Sequence, residues 1–81
     1  METKVAVISI IVEDDKAVAE LNGLLHEFGP YIIGRLGIPY RARGINIICV
    51  ALDAPEDKIS ALAEGLGKVN GINAKVTYSN I

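Results

Sequence analysis

The chain has 81 residues, a net charge of −2, 51% hydrophobic residues and 22% charged ones. That length fits one domain, residues 1–81. No apolar run reaches the ~20 residues of a membrane span, and the scattered charges lack the basic stripe of a nucleic-acid-binding domain. With three Tyr, one Phe and no Trp, there is no platform for stacking single-stranded nucleic acid. The single cysteine, Cys49, cannot close an internal disulfide, in keeping with a reducing compartment. The run from Val5 to Val12 is too short and too β-branched for a secretory leader, so a cytoplasmic location is expected.

Lys4 to Val12 is nearly all apolar and β-branched, the pattern of a strand covered on both faces. Glu13, Asp14 and Asp15 interrupt it, and Asp14 or Asp15 can cap the helix that follows. Val18, Leu21, Leu25 and Phe28 recur at helical spacing as the buried stripe, and Gly29-Pro30 stops the helix. Tyr31 to Ile38 reads as a second strand. Simple alternation places Ile32, Leu36 and Ile38 on one face and Tyr31, Ile33 and Arg35 on the other. Gly34 and Gly37 suggest a bulge or a close backbone approach within it. Pro39 to Gly44 is a hairpin connection, and Ile45 to Leu52 a third strand, again apolar on both faces.

A second helix begins near Asp53-Ala54-Pro55, with Asp53 or Ala54 as the cap and Pro55 in the first turn. Its buried stripe is Ile59, Leu62 and Leu66. Asn70-Gly71 turns the chain into a last strand, Ile72 to Tyr78, where Ile72, Ala74, Val76 and Tyr78 alternate with Asn73, Lys75 and Thr77. The order β-α-β-β-α-β predicts an α+β, ferredoxin-like fold: a four-stranded antiparallel sheet with both helices on one face.

This arrangement has a consequence. Helices cover one face only, yet the two central strands are apolar on both. Val5, Val7, Ile11, Ile33, Ile45, Ile47, Cys49 and Ala51 are expected on the bare face. A patch of that size is more than a monomer ordinarily exposes. Self-association through this face is the expectation, as a dimer, or as a tetramer with further strand-edge contacts. Ser79-Asn80-Ile81 is too short to shield it.

Residues that could carry chemistry are few. His26 faces away from the helix stripe with no second ligand at i±3 or i±4, so it reads as a surface histidine. Cys49 lies among apolar residues as a small hydrophobe. It would become a reactive thiol only beside a cation, for which Arg35 is the candidate. The acids at 13–15 lack calcium-loop spacing. No catalytic residue, metal or cofactor is expected. The segment of most interest holds Arg35, Gly37, Tyr40, Arg41 and Arg43, with three of the chain's eight Lys and Arg residues. Arginine pairs well with carboxylate or phosphate and glycine permits close approach, so these five residues form a candidate anion site. A solvated hairpin with interface salt bridges is the competing reading.

The segments VAVISIIVED (Val5 to Asp14), LLHEFGPYIIGRLGIPYR (Leu24 to Arg41) and GINIICVALDAPEDKISALAEGLG (Gly44 to Gly67) resemble the iron-only hydrogenase system regulator family. More distantly the pattern is similar to ACT regulatory domains and to the C-terminal domain of the nickel-responsive repressor. The resemblance implies an ACT-like domain that senses small ligands between subunits. Two departures stand out. The loop after the first strand has no Gly of the kind that backs an amino-acid ligand in ACT domains. Arg41, Arg43 and Cys49 occupy the spacing of the nickel repressor's two histidines and cysteine, and arginine cannot ligate nickel.

The reading is therefore a non-enzymatic regulatory module. It would be homo-oligomeric and would bind a small anionic effector or a regulatory or maturation protein. A purely structural oligomerisation partner and a small accessory enzyme are the alternatives.

Overall fold

In the computed structural model, which describes residues 2–80, four strands and two α-helices follow in the order β1 (Lys4–Val12), α1 (Val18–Glu27), β2 (Ile32–Tyr40), β3 (Ile45–Ala54), α2 (Glu56–Gly67) and β4 (Ile72–Tyr78). The sheet is antiparallel with spatial order β2-β3-β1-β4. This is the ferredoxin-like α+β fold. The two central strands, β1 and β3, are the two continuous apolar runs.

Alternation along the central strands sorts side chains cleanly. Ala6, Ile8, Ile10 and Val12 of β1, with Ile48, Val50, Leu52 and Ala54 of β3, are buried beneath the helices. The helices answer with Leu21 and Leu25 from α1 and Ile59, Leu62 and Leu66 from α2, joined by Ala17 and Val69. Val18 and Phe28, at the ends of the expected α1 stripe, are only partly buried against this core. Where the helices meet, a Cβ built on Gly65 would lie 3.2 Å from Leu24 Cδ2. The missing side chain at 65 lets Leu24 lie close against α2.

Local chemistry fixes the ends. Asp14 caps a short 3-10 turn, Asp15–Ala17, its Oδ1 accepting from the Lys16 N–H at 3.0 Å; this turn runs into α1. A second 3-10 turn, Gly29–Tyr31, takes Tyr31 out of β2. A third, Arg41–Arg43, forms most of the hairpin connection, and Gly44 closes it at φ +66°. The expected cap of α2 is corrected. Asp53 and Ala54 stay in β3, paired with Val5 and Lys4, and Pro55 is the N-cap. Proline's missing N–H and fixed φ suit that boundary.

The face assignment of β2 is also corrected. Ile32 pairs with Leu52 on the helix side, but the next ladder pair is Gly34 with Ala51. One extra residue, Ile33, is bulged out between them. Beyond the bulge every side chain changes face, as a one-residue slip in a period-two element requires. Leu36 and Ile38, expected under the helices, pair with Cys49 and Ile47 on the bare face. Arg35, expected on the bare face, pairs with Val50 on the helix side.

The loop before α1 is tied to the entry of β4. The N–H groups of Glu13 and Asp14 both donate to Gly71 O, at 2.7 and 3.2 Å. Gly71 has φ +90°, and a Cβ there would lie 2.6 Å from Asp14 Cβ. Gly71→Ala should therefore destabilise the fold by at least the roughly 1–3 kcal/mol of a strained backbone position. Thermal unfolding would record a fall of roughly 4–8 °C per kcal/mol. An unchanged midpoint would show that the turn can relax.

Candidate functional site

Two regions of the surface stand out, and they lie on opposite sides of the sheet. The first is the bare face. Its rows follow from the ladders: Ile38-Ile47-Ile11-Asn73, then Leu36-Cys49-Ser9-Lys75, then Gly34-Ala51-Val7-Thr77. Three strands of this face are apolar and the fourth, β4, is a polar margin. Val5 and Tyr40 extend the apolar region at its ends, Tyr40 beside Ile45. Val5, Val7, Ile11, Leu36, Ile38 and Tyr40 are exposed, whereas Ile45, Ile47, Cys49 and Ala51 are half-buried. Val7, Ile11, Ile47, Cys49 and Ala51 lie in these rows and Val5 and Ile45 beyond their ends, whereas Arg35 lies on the helix side. Ile33 is the bulge residue and is 66% exposed.

The whole molecule presents more surface than a compact monomer of its mass. Its solvent-accessible area is 5480 Å² for 8.6 kDa. A compact monomer of that mass presents about 4700 Å². The surplus of about 800 Å² matches what one partner of a standard protein–protein interface buries. Among the described residues, the C-terminal segment does not cover the face. Ser79 N–H donates to Val5 O at 2.9 Å, which continues the β1–β4 pairing along the strand rather than across the sheet. Ile81 lies outside the described residues.

The second region is a cleft along the β2–β3 end on the helix side. One hollow of about 280 Å³ is lined by Val18, Asn22, Arg35, Gly37, Pro39 and Asn46, among others. A second, of about 400 Å³, is lined by Asp15, Pro39, Arg41, Gly44, Ile45 and Asn46. Pro39 and Asn46 belong to both, so the two are continuous. Arg35 is anchored here, its guanidinium donating to Asn22 Oδ1 at 2.8 Å. Asn46 Nδ2 donates to Asp15 Oδ1 at 3.4 Å, tying β3 to the turn before α1.

The five residues expected to form one anion site are thus divided. Arg35, Gly37 and Arg41 share the cleft. Tyr40 points to the bare face, and Arg43 lies in the 3-10 turn without lining either hollow. Alternation accounts for the division, because Arg35 and Tyr40 are an odd number of residues apart on β2 and so face opposite sides, and the bulge at Ile33 decides which side each takes. The bulge also separates Arg35 from Cys49, whose ladder partner on β2 is Leu36. Asn22 and Asn46 were absent from the sequence reading, since a lone asparagine on a helix or a strand carries no spacing signal.

Other candidates remain apart. His26 is exposed on α1. No group of three or more His, Cys, Asp or Glu residues could hold a metal ion among the described residues. No helix among them is long and apolar enough to cross a membrane.

Comparison with known proteins agrees with this architecture. The uncharacterised protein TM1266 from Thermotoga maritima is 33% identical, with TM-score 0.91 over 95% of this chain and 98% of that one. The ACT domain of GTP pyrophosphokinase from Chlorobium tepidum shares the fold at 23% identity and TM-score 0.75, covering 95% and 99% of the two chains. CPII, a nitrogen regulatory PII-like protein from Thiomonas intermedia, shares it at 17% identity and TM-score 0.59, covering 99% and 96%. No curated protein matches the chain. The profile of one family matches residues 4–76, nearly the whole chain. The chain therefore belongs to the TM1266-like family, described as "Iron-only hydrogenase system regulator, putative".

Proposed function

We propose that this chain is a non-enzymatic regulatory module that assembles with copies of itself through the bare sheet face and senses a small anion in the Arg35–Arg41 cleft on the helix side. The observation that carries the reading is the apolar face itself. Fully burying one large aliphatic side chain is worth roughly 1.5–3 kcal/mol, and six large apolar residues on this face remain exposed in the single chain. A second copy presents the same surface and would cover it. The cleft supports the sensing half of the reading. It runs from Arg35, opposite Val50 in mid-strand, to Arg41 in the turn between β2 and β3, past Gly37 and Gly44, which admit a close ligand. CPII was solved with ADP, AMP and bicarbonate, so this fold is compatible with anionic ligands.

Asp15 lines the same cleft as Arg41, so a bound anion would lie nearer the arginines than the α1 turn. A thermal-shift panel of phosphate, ADP, bicarbonate and small carboxylates tests this. Ligand at a hundred times its Kd stabilises by about 2.7 kcal/mol, a rise of roughly 10 °C or more for a domain of this size. Arg41→Ala should abolish the rise, and Arg43→Ala should reduce it less. No shift from any of these anions, or an undiminished shift in Arg41→Ala, overturns the sensing role.

One observation favours a purely structural module instead. The guanidinium of Arg35 is already engaged by Asn22 and can be read as a strut between β2 and α1. In that case the face still assembles, no anion shifts the midpoint, and a pull-down of the tagged chain from its host recovers a regulatory or maturation protein bound to the assembled form.

A further inference from the structure

On the bare face, the seam between apolar β1 and polar β4 is hollowed. A concavity of about 530 Å³ is lined by Ser9, Ile11, Ile47, Asn73 and Lys75, among others. That volume falls in the range of small-molecule sites. Its lining is ordered by the ladders. Ser9 and Lys75 are direct cross-strand partners, as are Ile11 and Ile47. Directly opposite side chains on one face stand about 4.5–5.5 Å apart at Cβ. The polar pair and the apolar pair are two residues apart along β1, about 7 Å.

The charges are disposed unevenly. Lys75 makes no ion pair among the described residues, whereas Lys4 pairs with Glu56 at 3.3 Å. At the other end of the hollow, Asn73 Nδ2 donates to Glu13 Oε1 at 2.7 Å, which gives that carboxylate a partner. A free ammonium beside a hydroxyl, with an aliphatic surface one step away, complements a molecule that is anionic at one end and apolar at the other.

We propose that this seam binds a small aliphatic carboxylate, its carboxylate on Lys75 and Ser9 and its tail across Ile11 and Ile47. A tail of about five or more carbons spans the 7 Å between the two pairs. The site is distinct from the Arg35–Arg41 cleft, which lies on the other side of the sheet. It is complete within one chain and rests on no assumption about assembly. A second copy covering the face would enclose it. The competing role for Lys75 is that of a charge that protects an edge strand from pairing, which needs neither Ser9 nor the hollow.

The test titrates octanoate into the uniformly labelled protein and follows backbone amide shifts by NMR, with octanamide as the uncharged probe and acetate as the tailless one. The largest shifts are expected at Ser9, Ile11, Ile47, Asn73 and Lys75. Octanamide, which lacks the charge-assisted contact, and acetate, which lacks the apolar tail, should each bind about tenfold or more weaker than octanoate. Lys75→Gln, which keeps the side chain's reach, should weaken octanoate about tenfold and remove its advantage over octanamide. Ser9→Ala should weaken it less, and Lys58→Gln, on the solvent side of α2, should change nothing. Equal binding of octanoate and octanamide, shifts centred elsewhere, undiminished binding in Lys75→Gln or no binding at all would each overturn the proposal. Sedimentation of the same samples reads assembly separately, so failure of this site and failure of the self-association reading are told apart.

Discussion

Ile8→Ala should destabilise the protein by about 2–5 kcal/mol, the range for removing a fully buried large aliphatic side chain. Ile8 is 0% exposed, pairs with Val50 and Val76 across the sheet, and faces the helices. Tight packing leaves the surroundings little room to collapse into the void. For a domain of this size each kcal/mol lowers the unfolding midpoint by roughly 4–8 °C, so the loss should be ten degrees or more. The informative control is Ile11→Ala, the same substitution three residues on and on the opposite face. Ile11 is 42% exposed in the single chain. Under conditions where chains are separate, its loss should cost about 1 kcal/mol or less, in line with substitutions away from the core. Equal losses from the two would mean that the alternation along β1 does not divide a packed face from a bare one.

Ile47→Glu should dissociate the assembly while leaving the fold intact. Ile47 sits in the middle of the bare face, between Ile38 and Ile11 in its row. In a single chain a carboxylate there reaches water. Covered by a second copy, it would be an unpaired buried charge, at a cost of roughly 3–5 kcal/mol. That is a weakening of roughly a hundredfold or more in Kd. Circular dichroism should keep its helix and sheet signal, and sedimentation should move to the single-chain mass. A variant that stays assembled would place the interface elsewhere, and one that unfolds would show that Ile47 belongs to the monomer core.

The fold was legible because each level of the sequence agreed. Two continuous apolar runs marked the central strands, helical spacing marked both helices, and Gly29-Pro30 and Asn70-Gly71 marked the turns. The bare apolar face followed from that topology, since both helices must lie on one side. What failed was the phase of β2. Gly34 signalled a bulge, but carrying the alternation straight through it placed Leu36, Ile38 and Arg35 on the wrong faces. A bulge is a feature of pairing: whether Ile33 opposes a residue or stands out depends on β3, which β2 alone does not specify. The candidate anion site failed for a different reason. Five residues close in sequence looked like one cluster, and the pleat sent Tyr40 to one side of the sheet and Arg35 to the other. The partners that complete the cleft and the seam, Asn22, Asn46, Ser9 and Lys75, come from separate elements, and no spacing in the sequence joins them.

The correction enlarges the central claim. Leu36 and Ile38 join the bare face instead of leaving it, so more apolar surface needs covering than alternation alone implied. Sedimentation equilibrium of the unmodified protein, from submicromolar to about a hundred micromolar, tests that claim most directly. The account predicts a mass that is a whole multiple of 8.6 kDa at micromolar concentration, falling toward one chain on dilution. A single species of 8.6 kDa across the whole range would contradict it.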